Sequence, residues 1–309
     1  MKIKAIFLII SLLMQMRILY ASDVGVTGAQ FLKIGTGARP MGMGGAFSAV
    51  ADDGYAAYWN PAGFAQIQKP ELATTYLKYF QDIDFGYMGY VLPYKSGVYG
   101  VGITYLTLGD IEGRTGDSEQ PDRKFGASDI CAEVSYAIKE PFDVALPGVD
   151  MGLNLKYIQQ EIDGNKAQTG ALDLGSLYHT VYKPLTIAIC LQNVGPGNKF
   201  VKVRDPLPLN LKLGCAYRML QNKLITSLDI DQYLIDQKMY AGFGAEYWMI
   251  DIIALRAGYR YGYHKNSLGN IVGLSGGLSL KAFNFQLDYA FVPFGKLGDT
   301  HRFSLSAKF

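Results

Sequence analysis

From Glu71 to the C-terminus the chain alternates apolar and polar residues with a period of two. After Ala21 it contains no run of 18 apolar residues. A period of two places successive side chains on opposite faces of a strand. A chain that enters a bilayer without long apolar helices can cross it only as a closed barrel, because an open sheet edge leaves backbone groups unpaired in hydrocarbon. The remaining choices are a soluble sandwich, with its apolar face turned into a core, and a membrane barrel, with that face turned to lipid.

The alternation reads as fourteen strands: 72–80, 84–94, 97–108, 129–138, 150–160, 170–180, 184–193, 209–218, 223–231, 238–248, 251–261, 270–280, 282–290 and 300–309. Most approach the roughly 9–11 residues that a tilted strand needs to span a bilayer. In 282–290, Phe283, Phe285, Leu287 and Tyr289 share one face, and Asn284, Gln286 and Asp288 the other. In 209–218, Leu209, Leu211, Leu213, Cys215 and Tyr217 oppose Asn210, Lys212, Gly214 and Arg218.

Four observations favour the barrel. Odd-numbered connections (109–128, 161–169, 194–208, 232–237, 262–269, 291–299) are long, and most even-numbered ones (95–96, 181–183, 219–222, 249–250) are short. Outer-membrane barrels alternate long outer loops with short periplasmic turns in this way, although 81–83 and 139–149 depart from the rule. The strand count is even. Charged residues make up 18% of the chain, against about 25% in soluble domains. The chain closes on Phe309, an aromatic ending to an amphipathic strand, which resembles the signal read by the barrel-assembly machinery.

Met1–Ala21 reads as a secretory signal, with Lys2 and Lys4 ahead of an apolar stretch, Ala5–Met14, that is short for a transmembrane helix. Ser22–Pro70 is rich in Gly, Ala and Met and has little alternation. The expected organisation is a signal peptide at 1–21, an N-terminal plug at 22–70 and a transmembrane barrel at 71–309. A fourteen-stranded barrel is too wide for its own side chains to fill, so the plug is expected inside the lumen.

Gly37 to Gly63 holds a recognisable pattern: Gly37-Ala38-Arg39-Pro40-Met41-Gly42-Met43-Gly44-Gly45-Ala46-Phe47, then Ala51-Asp52-Asp53-Gly54, then Tyr58-Trp59-Asn60-Pro61-Ala62-Gly63. It resembles the N-terminal signature of the PorV/PorQ family of outer-membrane proteins, which is related to FadL-like fatty-acid channels. The resemblance implies a fourteen-stranded antiparallel barrel with a small hatch. It also implies a place in type IX secretion, where PorV is similar to a shuttle that accepts secreted proteins. The alternative reading is a FadL-like passive channel for small hydrophobic molecules. Implied partners are therefore outer-membrane lipid, the barrel-assembly machinery, and either secreted proteins and secretion-complex subunits or hydrophobic small molecules.

Gly42, Gly44, Gly45, Asp52, Asp53, Trp59, Asn60 and Pro61 are the candidate plug or gate residues. The glycines suit close backbone packing better than a phosphate loop, since no strand precedes them and no Lys-Ser/Thr follows. Asp52 or Asp53 can cap a short helical turn, and Asn60 before Pro61 favours an extended conformation. Glu133, Lys156, Asp173, Lys212, Arg218, Asp229, Asp231, Glu246, Arg256, Arg260, Asp288, Arg302 and Lys308 alternate onto the expected lumen face. Their mixed signs suggest cross-strand pairs rather than a selective pore. Tyr76, Tyr87, Tyr157, Tyr217, Tyr259 and Phe309 are expected to form outward aromatic girdles. The candidate outer surfaces for cargo are 109–128, 194–208 and 291–299.

His179, His264 and His301 are isolated, and no His/Cys/Asp/Glu spacing suits zinc. No Gly-x-Ser-x-Gly elbow occurs. Cys131, Cys190 and Cys215 are an odd number, and the latter two alternate onto opposite faces. No catalytic role, metal or cofactor is expected. The net charge of +2 and the lack of Lys/Arg clusters interleaved with aromatics speak against a nucleic-acid partner. On a gel of the outer-membrane fraction, the folded protein should shift its mobility on boiling. A soluble protein with no shift would mean a sandwich instead.

Overall fold

A computed structural model describes residues 25–309 apart from 96, 118, 143 and 264–268. The signal-peptide reading at 1–21 and His264 lie outside the described residues.

Fourteen strands among the described residues close into one antiparallel barrel. They are β1 (Glu71–Lys78), β2 (Asp84–Tyr94), β3 (Gly97–Gly113), β4 (Arg123–Ile138), β5 (Val149–Ile162), β6 (Asn165–His179) and β7 (Leu185–Val194), followed by β10 (Asn210–Met219), β11 (Leu224–Tyr233), β12 (Lys238–Ile250), β13 (Ile253–Tyr261), β14 (Leu274–Ala282), β15 (Phe285–Pro293) and β16 (Asp299–Lys308). Between β7 and β10, the short strands β8 (Asn198–Lys199) and β9 (Arg204–Asp205) pair only with each other. Every barrel strand pairs with the barrel strands before and after it in the chain, and β1 closes on β16 with Glu71 opposite Lys308 and Lys78 opposite His301. Beyond that ladder, the Phe309 N–H donates to the Pro70 carbonyl at 2.9 Å. The proximal end of the barrel is defined here as the one where β1 begins and β16 ends; the other end is distal.

Alternation sets the two faces. Tyr90, Val101, Ile103, Leu155, Leu174, Ile189, Leu228, Phe243, Leu255, Leu287, Phe303 and Leu305 are exposed around the outside, while the intervening residues are buried within. This is the outward apolar band of a membrane barrel, since a soluble fold would not leave such a belt in water. Cys190 faces inward and Cys215 outward, and all three cysteines are free.

Two expected loops prove to be wall. Much of 109–128 continues the β3–β4 ladder, with Ile111 opposite Phe125 and Gly113 opposite Arg123. Within 161–169, Glu161 pairs with Lys166 and Ile162 with Asn165, leaving only Asp163 and Gly164, both with positive φ, as the turn. These extensions mix Glu112, Arg123, Lys124, Glu161 and Lys166 with the apolar Ile111, Phe125 and Ile162, so they carry no regular hydrophobic alternation. Above the bilayer a ladder needs none. The distal rim is therefore taller on the β3–β6 side.

Tyr87 is also corrected. It is 2% exposed and faces inward with Phe85 and Val91, so it belongs to no outward girdle. The inward face of β2 is apolar because an apolar stretch of the N-terminal segment lies against it, and hydrophobicity alone does not distinguish that stretch from lipid. Tyr76, Tyr157 and Phe309 are exposed, at 49%, 48% and 65%.

Residues 25–70 run along the inner wall from the distal to the proximal end. Distally, the Gly28 N–H donates to the Pro206 carbonyl at 2.9 Å and the Thr27 hydroxyl bonds Asp236 at 3.1 Å. Proximally, the Gly54 N–H donates to the Glu71 carboxylate at 3.1 Å. Between these ends lie short helical turns at Gln30–Lys33, Ala38–Gly42, Ala56–Trp59 and Pro61–Gln66. Met43, Phe47, Val50, Tyr55, Trp59 and Phe64 form the buried core of the molecule together with Tyr87, Val91 and Leu177 of the wall.

Candidate functional site: the polar inner wall and the segment it holds

The signature glycines sit where the segment touches the wall most closely. Gly44 and Gly45 have φ of +65° and +74°, which disfavours other residues. A Cβ on Gly44 would lie 2.7 Å from the Tyr259 nitrogen, and a Cβ on Gly258 would lie 2.1 Å from the Gly44 nitrogen. Gly242 and Gly244 of β12 and Gly277 of β14 meet the same stretch from their side. Glycine thus faces glycine, and backbone lies on backbone. The wall half of this contact escaped the sequence reading. Its signal was present in the Gly-x-Gly of β12, two glycines of inward parity on one strand.

Arg39 holds the segment electrostatically, and sequence reasoning missed it too. Its guanidinium forks onto Glu246, with Nε and Nη2 each donating at 2.8 Å. Nη1 reaches Asp52 at 2.5 Å and Asp53 at 2.9 Å. Burial pushes the Asp53 carboxyl up to about 7, against the pull of the adjacent guanidinium, and Glu246 is the partner that takes two of the Arg39 N–H groups. Glu246 also accepts from Arg256 Nε at 2.6 Å, and Arg256 Nη1 donates to Asp288 at 2.9 Å. Ser279 hydrogen-bonds both Arg256 and Asp288. The result is a chain of alternating charge across β12–β15, ending on the segment. Bidentate geometry and seclusion from water make such contacts stronger than surface pairs.

Other inward charges form two further groups. Asp231 takes Lys212 and Arg260, each at 2.6 Å. Lys156 pairs with Asp173 at 2.6 Å, and Asn154 bridges Glu133 and Asp173. Asp229 accepts the Phe47 and Ser48 N–H groups at 3.1 and 2.8 Å, fixing the turn after the glycines. Arg218 is half-buried, bonds Thr186, and stands 4.0 Å from Asp52. Lys308 reaches Glu71 at 3.4 Å. Arg302 donates to the Gly35 carbonyl.

Asp53 Oδ1 accepts from the Tyr55 N–H at 3.1 Å, fixing the start of the helical turn. Asn60 is extended (φ −166°) and caps the turn that begins at Pro61 by accepting from the Ala62 N–H. Its amide also donates to the Ser48 and Ser176 carbonyls, tying segment to wall. Trp59 Nε1 donates to the Thr36 carbonyl at 2.9 Å, and Lys212 Nζ lies 4.7 Å from a ring centroid of Trp59. Asp236, in a connection the sequence marked only as outer loop, anchors the segment through Lys33 and Thr27.

Two cavities flank the segment. The distal one has a volume of about 430 Å³, and its aromatic lining includes Tyr58, Trp59, Tyr79, Tyr263 and Phe294. The proximal one, about 290 Å³, is lined by charged residues, among them Arg39, Asp52, Asp53 and Glu246. Among the described residues no group of three or more His, Cys, Asp or Glu is placed to hold a metal ion.

The family model for the type IX secretion system protein PorV matches residues 20–239. The chain belongs to the PorV family. No curated relative matches the sequence. Among solved structures, the toluene transporter TodX of P. putida is similar at 13% identity and a TM-score of 0.65, covering 89% of this chain and 99% of that one. A Pseudomonas aeruginosa FadL homologue is similar at 13% identity and a TM-score of 0.55, covering 85% of this chain and 95% of that one. At that identity the likeness is one of fold. Family and closed apolar-faced barrel together place this PorV-family chain in the outer membrane.

Removing one partner of a buried ion pair costs about 3–5 kcal/mol, because the other charge is left uncompensated. Glu246→Leu should therefore loosen the segment while Arg256 keeps Asp288. Trypsin applied to the detergent-folded barrel should cut at Lys33, which is followed by Ile34, in the variant and not in the parent. The double variant Arg39→Met/Glu246→Leu should regain protection of the segment, read at Lys33. Continued protection of Lys33 in the single variant would show that the pair does not hold the segment.

Proposed function

We propose that this barrel is an accessory or shuttle component of type IX-like protein secretion or surface attachment. We further propose that residues 22–70 act as a hatch across its lumen, and that residues 1–21 are a signal peptide removed on export. The match to the PorV model over residues 20–239 carries the functional reading. The distal rim supports it. The long β3–β4 and β5–β6 hairpins and the β7–β10 connection raise a wall to one side of the opening, where a protein partner can be met. The connection 194–208 is only half free for this, since Gly28 is bonded to Pro206 within it. Phe309, bonded through its N–H to Pro70 and exposed at its ring, suits a barrel-assembly signal at the proximal, periplasmic end.

The hatch is supported by the buried path of residues 25–70 and by the Arg39–Glu246 and Gly44–Gly258 contacts. Deleting 28–65 should raise conductance in planar bilayers. Unchanged conductance would remove the hatch from this reading.

A second reading, a passive channel for small hydrophobic molecules, draws on the fold shared with the toluene transporter and on the aromatic distal cavity. Cross-linking in intact outer membranes, followed by affinity purification and mass spectrometry, separates the two. Secreted proteins or secretion subunits attached at the distal rim are expected. Hydrophobic small molecules alone, with no attached protein, would overturn the secretion reading.

A further inference from the structure

Arg302 differs from Lys212, Arg256 and Lys156 of the inner wall. Lys212 lies opposite Asp231 on the neighbouring strand, Arg256 opposite Glu246, and Lys156 opposite Glu133. Each thus has a carboxylate built in beside it. The register partners of Arg302 are Leu77 and Ala290, both buried and apolar. Arg302 is 1% exposed. Among the described residues it has no carboxylate partner, its Nη1 donates to the backbone carbonyl of Gly35, and its Nε has no hydrogen-bond partner.

This guanidinium lines the distal cavity of about 430 Å³. The other cations there are committed elsewhere: Lys212 and Arg260 to Asp231, and Lys33 to Asp236. The lining also holds the aromatic side chains of Tyr58, Trp59, Tyr79, Tyr263 and Phe294, the apolar Ile34, Met41, Ile83 and Leu106, and one further carboxylate, Asp129, which accepts from Gln160 at 2.9 Å. A buried guanidinium without a counter-charge is costly, and it favours a planar anion that can take two of its N–H groups. Aromatic walls favour a flat ring, which they contact edge-on or offset. The cavity volume falls at the small end of the range for ligand pockets.

We propose that the distal cavity is a binding site for a compact aromatic carboxylate, with Arg302 binding the carboxylate and the tyrosines and Trp59 enclosing the ring. Two sources carry that chemistry: a free aromatic acid, and the C-terminal carboxylate of a peptide ending in an aromatic residue. The site does not depend on whether the barrel serves secretion.

Calorimetric titration of the full-length, detergent-folded protein tests this with two pairs of probes. One pair is 3-phenylpropionate and 3-phenylpropanol; the other is the tripeptide Gly-Gly-Phe with a free and with an amidated C-terminus. A charge-assisted contact should make at least one acid bind about tenfold to a hundredfold more tightly than its neutral twin. Preference confined to the free acid assigns a small-molecule ligand, preference confined to the peptide assigns a chain end, and preference in both pairs assigns the shared chemistry. Arg302→Met should bring the ratio to about one, and Arg302→Lys should retain part of it. The mobility shift on boiling reports whether each variant is folded, and if Arg302→Met does not fold, the parent and Arg302→Lys carry the test. Equal binding of acid and neutral twin in both pairs overturns the proposal, as does an unchanged ratio in folded Arg302→Met.

Discussion

Every backbone N–H and C=O of a chain in hydrocarbon must find a partner within the protein, and in this molecule the pairing of β1 with β16 meets that demand for the last two edges. Much else follows from closure. Fourteen strands in a ring enclose more space than inward side chains can fill, so the interior must hold water, a ligand or more protein. In this chain it holds residues 25–70. The first of the fourteen strands begins at the proximal end, while the described chain begins among distal connections, at Thr27 and Gly28. The segment must therefore travel the length of the wall before the barrel can start.

The inner wall answers the segment in two ways. Across β12–β14, glycines remove side chains so that the backbone at Met43–Gly45 can lie directly on the sheet. Elsewhere, carboxylates and amides reach out to it: Glu246 to Arg39, Asp229 to Phe47 and Ser48, and Gln192 to the Tyr58 carbonyl. Buried charges are tolerable because nearly all have an opposite charge on an adjacent strand or on the segment. The same ions serve wall and segment at once. Glu246 joins Arg39 to Arg256, so a change on β12 reaches the segment without touching it directly.

Membership of the PorV family and the likeness to TodX and a FadL homologue concern different parts of the molecule. The shared fold is the ring of strands, which membrane and closure impose. What a particular barrel does is decided by its distal rim and cavity, where strand extensions, connections and the lining of the cavity are free to vary. In this chain that end combines a one-sided raised rim with an aromatic chamber holding one cation that the wall does not neutralise.

The sequence by itself determined the ring. Apolar–polar alternation is local and repeats strand by strand, so the fourteen strands, their inward charges and the parity of Cys190 and Cys215 could be read with only small shifts at strand ends, as at β14 and β15. It failed where alternation carries no information. The hairpin tips at Ile111–Phe125 and Glu161–Lys166 lack the regular alternation, and the inward face at Phe85–Val91 meets apolar protein in place of water. Only the tertiary structure decided which charges meet. Arg39 and Glu246 are joined across 207 residues of sequence, and Gly44 lies on Gly258. It also decided that Arg302 stands between Leu77 and Ala290 without a carboxylate. Periodicity tells a side chain which face to take. Its neighbours on that face are set by register, closure and the path of the segment within, and these exist only once the sheet has closed.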